Sequence, residues 1–195
     1  MKNGKNNMKK KINNITTEEL NKIDIHSHES YITEYYKEFY YNEAGEEHYR
    51  LLMYLSNLFL DEEDVIYFDI GTHQGMSAIA LAENRNAKVI SYDITDNKTS
   101  KLFPSNIEFK IGNVIEDPNL LKAKFIFIDT IHDGKFEKEV IDFLRKNHYI
   151  GIIGLDDIYL NENMRNLWNL ELKNENKIDV SHLGHWSGTG LIIFE

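Results

Sequence analysis

The stretch Val65 to Asp93, VIYFDIGTHQGMSAIALAENRNAKVISYD, limits what this chain can fold into more than any other. Val65–Ile70 is an apolar run that carries one acid, Asp69, and stops at Gly71. Gly75 follows, and Met76, Ile79, Ala80 and Leu81 then fall on one face of a helical period. The pattern is a strand, a tight turn and a helix. A second apolar strand, Val89 to Tyr92, ends on Asp93, about 20 residues beyond the glycines, where a carboxylate is placed to accept hydrogen bonds from a ribose diol. Such a unit is suited to holding a nucleoside. Taken alone, the glycines also fit a strand-to-helix turn with no ligand.

The remainder of the chain extends this alternation. Apolar strands are expected at Ile107–Ile111, Phe125–Asp129 and Ile150–Leu155, with an amphipathic helix over Lys135–Lys146 and a last helix over Glu162–Leu172. Alternation of this kind implies a parallel sheet with crossover helices. The segments Ile178–Leu183 and Gly190–Phe194 are separated only by Gly184-His185-Trp186-Ser187-Gly188, so they predict a hairpin and an antiparallel final strand. No helical period is visible between Ile94 and Asn106, which predicts one thinly covered sheet face.

Before Val65 the pattern is helical and less regular. Residues 1–14 are basic and poor in apolar side chains, and predict a disordered tail. Thr16 and Glu19 form a capping box, with Ile15 placed to staple onto Leu20. Asp24–Tyr41 is rich in Tyr and His without a clean period, and Glu46–Leu60 predicts a solid helix. The chain thus divides into the tail 1–14, a helical cap 15–60 and an α/β domain 61–195, with one core for its 195 residues.

A net charge of -10 argues against a nucleic-acid backbone or an anionic membrane surface as partner. With no cysteine, any metal must be held by Asp, Glu, His or backbone oxygen. The apolar runs are strand-length and no signal-type segment follows the basic start, so the expectation is a soluble, cytoplasmic protein.

The glycine loop reads Asp-x-Gly-x-x-x-Gly from Asp69 to Gly75, with His73 where a dinucleotide site needs glycine for close approach of the pyrophosphate. A ligand without phosphate tolerates a bulkier residue there. From this loop onward, over roughly Glu46–Glu195, the chain resembles the class I S-adenosylmethionine-dependent methyltransferases. The acid-x-Gly-x-aromatic-x-Gly-x-Ser form resembles the catechol O-methyltransferase type in particular. The resemblance implies a Rossmann-like, mostly parallel seven-stranded sheet with an antiparallel last strand. It implies that Asp69, Gly71, Thr72, His73, Gly75 and Ser77 surround the methionine and ribose part of the cofactor, that Asp93 binds the ribose hydroxyls, and that Asn113 contacts adenine.

Asp129 and the pair Asp156-Asp157 close consecutive strands, and ligands of open parallel sheets bind beyond such ends. If the strands are neighbours the carboxylates converge, and a divalent ion would relieve their repulsion. The resemblance implies Mg2+ at Asp129, Asp156 and Asp157, with Asp129 also near the cofactor. Contact with the cofactor alone, and a turn cap at Asp157, is the plainer reading. His132 is the candidate general base for a substrate hydroxyl, or else a loop histidine capping the next helix. A histidine here resembles the macrolide-sugar enzymes, which implies a small-molecule or glycan acceptor. Trp186 can stack on an acceptor or shield the core, and His48 can edge the cofactor pocket. Two rival functions stand beside this one: a metal-dependent hydrolase using Asp24, His26 and His28, and a nucleoside-binding protein without catalysis.

Overall fold

The computed structural model describes residues 2–195, with side chains from Met8 onward. Five α-helices precede the second strand among the described residues: α1 (Lys2–Asn13), α2 (Thr17–Leu20), α3 (Glu34–Tyr41), α4 (Glu43–Ser56) and, after strand β1 (Val65–Ile70), α5 (Met76–Leu81). There follow β2 (Ala87–Asp93), β3 (Ile107–Ile111), β4 (Phe125–Ile128), α6 (Lys135–Lys146), β5 (Gly151–Leu155), α7 (Glu162–Asn166), β6 (Lys177–Asp179) and β7 (Gly190–Phe194). The seven strands form one sheet in the order β3-β2-β1-β4-β5-β7-β6. β1 to β5 are parallel, and β7 runs antiparallel to both of its neighbours.

The order reverses direction at β1 and β4, so a crevice opens beyond their carboxyl ends, where α/β sheets bind ligands. The loop after β1 is pinned to the end of β2 there: the amides of Gly71 and Thr72 donate to the Tyr92 carbonyl at 2.8 and 3.0 Å.

The two sheet faces are covered differently. One is packed by α6, α7 and the π-helical segment Leu167–Glu171, with Val140, Ile141, Leu144 and Trp168 buried. The other is packed by α5 and the N-terminal helices. Leu51, Leu52 and Leu55 of α4 are fully buried there, and each such side chain contributes roughly 2 kcal/mol. The segment 94–106 forms no helix, as expected, and the face it leaves open is filled by the cap together with Phe103 on Phe109.

Two N-terminal expectations differ from the structure. Lys2–Asn13 is helical where a disordered tail is expected; Ile12 is buried and Met8 packs against the core, which gives this polar segment an anchor. α4 begins at Glu43, earlier than Glu46, because the Asn42 side chain caps it by accepting from the Gly45 amide at 2.8 Å. The capping box is present as read, with Thr16 and Glu19 exchanging bonds of 3.2 and 3.0 Å.

Candidate active site

A cavity of about 510 Å3 opens beyond the ends of β1, β2 and β4, within the range of small-molecule sites. Gly71, His73, Asp93, Gly112 and Asp129 line its polar side, and Tyr92, Ile131 and Phe136 its apolar side. Gly71 has no substitute: its φ is +104°, and a Cβ there would lie 1.7 Å from the Asp129 carbonyl oxygen. The glycine lets the first loop pass against the end of β4.

Asp93 is aimed by backbone donors. Its Oδ2 accepts from the His73 amide at 2.8 Å, and its Oδ1 from Ile94 and Thr95 at 2.7 and 3.3 Å. Lone pairs remain for a diol at the cavity wall. His73, in a left-handed conformation, thus supports Asp93 through its main chain while its side chain lines the cavity.

Asp69 is fully buried. Its Oδ2 accepts from Ser91 at 2.6 Å, and Ser91 is paired with Thr72 at 2.6 Å, whereas Oδ1 has no partner among the described residues. Burial pushes the carboxyl up to about 6, against the pull of Ser91 and Ser77. A buried acceptor with an open lone pair suits a cationic group.

Eight of the nine residues expected around the cofactor separate into two sets. Gly71, His73, Asp93 and Asp129 line the cavity. Asp69, Thr72, Gly75 and Ser77 stand behind them, shaping the loop and its hydrogen bonds; Gly75, at φ +82°, starts α5. Asn113 does neither: its side chain caps its own turn by accepting from the Ile115 amide at 3.1 Å, while Gly112 and Val114 on either side line the cavity.

At the ends of β4 and β5 the structure makes two groups of the acids. His132 Nε2 lies 3.2 Å from both Asp129 Oδ1 and Asp157 Oδ2. His132 and Asp157 both adopt φ +57°, an uncommon conformation that places their side chains face to face. Glu137, buried at the start of α6, holds this loop: it accepts from the Thr130 hydroxyl at 2.6 Å and the His132 amide at 2.9 Å. Burial works against the charged form of His132, but Asp129 and Asp157 prevail and hold its pKa above the ordinary imidazole value. Burial and then Asp156 push Asp129 up, with His132 pulling it back.

Asp156, expected with these acids, faces elsewhere. Its Oδ1 meets His185 Nε2 at 3.0 Å, Thr189 Oγ1 at 3.1 Å and His48 Nδ1 at 3.7 Å. Burial opposes its ionisation, and His48 and His185 outweigh this to hold its pKa low. The two groups are adjacent, with His185 Nδ1 3.9 Å from Asp157 Oδ1. Trp186, beside His185, is 78% exposed and shields no core.

Asp24, His26 and His28 do not converge. They lie on a 3-10 turn, where alternate residues do not share a face. Asp24 caps it, His26 stacks on Tyr41, and His28 is buried against Glu83 at 3.0 Å.

No protein-family model and no curated sequence matches the chain. Solved structures do match its fold. A candidate caffeoyl-CoA O-methyltransferase from Staphylococcus aureus superposes with a TM-score of 0.59 over 88% of this chain and 97% of its own, at 14% identity. The O-methyltransferase TomG from Streptomyces achromogenes, involved in tomaymycin synthesis and solved with SAM, gives 0.54 over 74% and 80% at 14% identity. An O-methyltransferase from Bacillus cereus with SAH gives 0.51 over 74% and 80% at 16% identity. The fold is thus the Rossmann-like methyltransferase fold, with its antiparallel last strand. Among the described residues no helix is long and apolar enough to cross a membrane.

Proposed function

We propose that this chain is an S-adenosylmethionine-dependent methyltransferase that methylates a hydroxyl of a small molecule or sugar. The observation that carries the reading is the cavity at the β1–β4 switch point, with Asp93 held at its wall and the unpartnered Oδ1 of Asp69 buried behind its glycine loop. These residues fit the cofactor: Asp93 has lone pairs for a ribose diol, and the Asp69 carboxylate behind the glycine loop gives the site a negative field that favours an amino-acid ammonium group. The structural neighbours that carry SAM or SAH in the same fold support the assignment.

S-adenosylmethionine supplies a methyl group already activated by its sulfonium, so the protein's part is mainly alignment of acceptor and donor. Asp129 lies at the junction, lining the donor cavity and touching His132. His132 is the base in this reading: its imidazole, held between Asp129 and Asp157 at the end of β4, takes the hydroxyl proton as the oxygen attacks the methyl carbon. Asp129 and Asp157 stabilise the imidazolium that results.

The same two carboxylates fit a divalent cation such as Mg2+. Their oxygens lie within 4.8 Å of each other beside His132, and a cation there would offset the burial and the Asp156 repulsion that raise Asp129. Bound there, the ion would supply Lewis acidity to the acceptor oxygen.

Calorimetry with S-adenosylmethionine, S-adenosylhomocysteine and NAD tests the donor assignment. Both sulfur nucleosides should bind and NAD should not; failure of both removes the reading. Binding without methyl transfer to any hydroxyl acceptor, with and without Mg2+, would favour a nucleoside-binding protein without catalysis. Chelation by EDTA tests the ion, because unchanged turnover would leave His132 acting alone.

A further inference from the structure

His48, Asp156 and His185 form a group that the proposed methyl transfer does not use. They come from α4, from the end of β5 and from the loop before β7. The antiparallel register Leu155 with Gly190 brings that loop beside Asp156. One donor atom from each of the three lies within 4.8 Å of the others.

Three features distinguish the group from an ordinary buried hydrogen-bond cluster. His48 is only 7% exposed, and its Nδ1, 3.7 Å from Asp156 Oδ1, has no hydrogen-bond partner among the described residues. The spacings of 3.0 and 3.7 Å to Asp156 bracket the roughly 3.4 Å between ligand atoms of a tetrahedral ion with bonds of about 2.1 Å. The outer contacts are also those of metal ligands: Ser187 Oγ lies 2.6 Å from His185 Nδ1 and fixes the ring with Nε2 towards Asp156, while the Thr189 hydroxyl donates to the carboxylate.

We propose that His48, Asp156 and His185 bind a divalent first-row transition ion, of which Zn2+ is the type, at a site distinct from the Asp129–Asp157 pair. Two neutral imidazoles and one carboxylate favour such an ion over Mg2+, which takes oxygen ligands and keeps its water. The ion would tie α4 of the cap to the hairpin loop beside the acceptor side of the crevice.

The test uses the full, untagged chain stripped with a chelator and titrated with Co2+, whose visible d–d bands report histidine ligation. In excess Mg2+, which occupies the Asp129–Asp157 pair, one Co2+ per chain should remain bound and be displaced by Zn2+. His48→Ala and His185→Ala should each weaken Co2+ binding by about 100-fold, whereas Asp129→Asn should leave it within about threefold. Displacement by Mg2+, or undiminished binding in both histidine variants, would overturn the proposal. Should either variant fail to fold, the wild-type chain decides: no d–d bands with Co2+ and no rise in Tm with Zn2+ would equally overturn it. Neither readout involves the methyl donor, so failure of S-adenosylmethionine to bind leaves this result standing.

Discussion

The two sides of the crevice are built in opposite ways. The proposed donor side, from β1 to β2, is largely backbone: a glycine that admits a neighbouring strand, amides that hold Asp93, and a carboxylate behind the loop. The proposed acceptor side is built of side chains from distant elements, with Asp129, His132 and Asp157 in one group and His48, Asp156 and His185 in another beside it at the ends of β4 and β5. A backbone cradle is specified by a short continuous sequence and tolerates little change. A side-chain cluster can be altered one residue at a time, which suits the half that selects the acceptor.

The strongest way to break this contrast is at Gly71, where the two sides touch. Gly71→Ala puts a methyl group into the Asp129 carbonyl and a side chain at φ +104°. The loop and the end of β4 must separate. Calorimetry should show loss of S-adenosylmethionine affinity by at least 100-fold, and denaturant melts a destabilisation of about 3 kcal/mol. Because Asp129 also touches His132, this one donor-side change should disturb both sides.

Independence of the sides is tested by a crossed pair. His132→Ala should lower kcat by about 100- to 1000-fold and leave the dissociation constant of S-adenosylhomocysteine within twofold. Asp93→Ala should weaken that affinity roughly 30-fold through the lost diol contacts, with a smaller effect on kcat at saturating donor. Equal losses in both measurements for His132→Ala would show that it supports the cofactor pocket rather than the proton transfer.

The contrast also explains what the sequence revealed. The alternation of strands and helices, the antiparallel last strand and the acid that ends β2 follow from local patterns, because apolar periodicity and glycine spacing encode neighbouring structure directly. His48 and His185 are separated from Asp156 by long stretches of chain, and no local pattern joins them. One signal was present: an antiparallel strand beside β5 must begin where β5 ends, which puts residues 185–189 next to Asp156. Asn113 shows a second local effect. It follows a glycine at a strand end, but an Asn side chain bonds readily to its own backbone, and here it caps the turn. The helix over Lys2–Asn13 was hidden because a largely polar segment is held through Ile12 and Met8.

A smaller effect is expected from Asp69. Its pKa, raised to about 6 by burial, means that the folded chain binds this proton more tightly than the unfolded chain. The associated stability is complete below about pH 4 and is lost as pH rises through about 6, a cost approaching 3 kcal/mol at neutral pH. Asp69→Asn should therefore raise the Tm of the free protein by about 4 °C at pH 7.5, by roughly half as much at pH 5 and scarcely below about pH 4. The variant should bind S-adenosylmethionine about tenfold more weakly at pH 7.5. Wild-type affinity should fall as pH drops below 6, since a protonated carboxyl no longer attracts the ammonium group, and the variant should lack this dependence.

The smallest effect separates positioning from contact. Glu137 touches neither cavity nor crevice, yet it fixes Thr130 and the main chain of His132 in its left-handed conformation. Glu137→Gln keeps one carbonyl oxygen to accept these bonds but removes the charge that strengthens them. The loop should remain folded and hold His132 less firmly. A three- to tenfold fall in kcat is expected, with a smaller change in donor affinity, because Thr130 and Ile131 line the same cavity while Asp93 and the glycine loop are anchored elsewhere. Glu137→Asp, which shortens the reach while keeping the charge, should cost more than Gln if distance matters most. The reverse order would show that the charge, acting on the neighbouring His132 amide, is the stronger constraint.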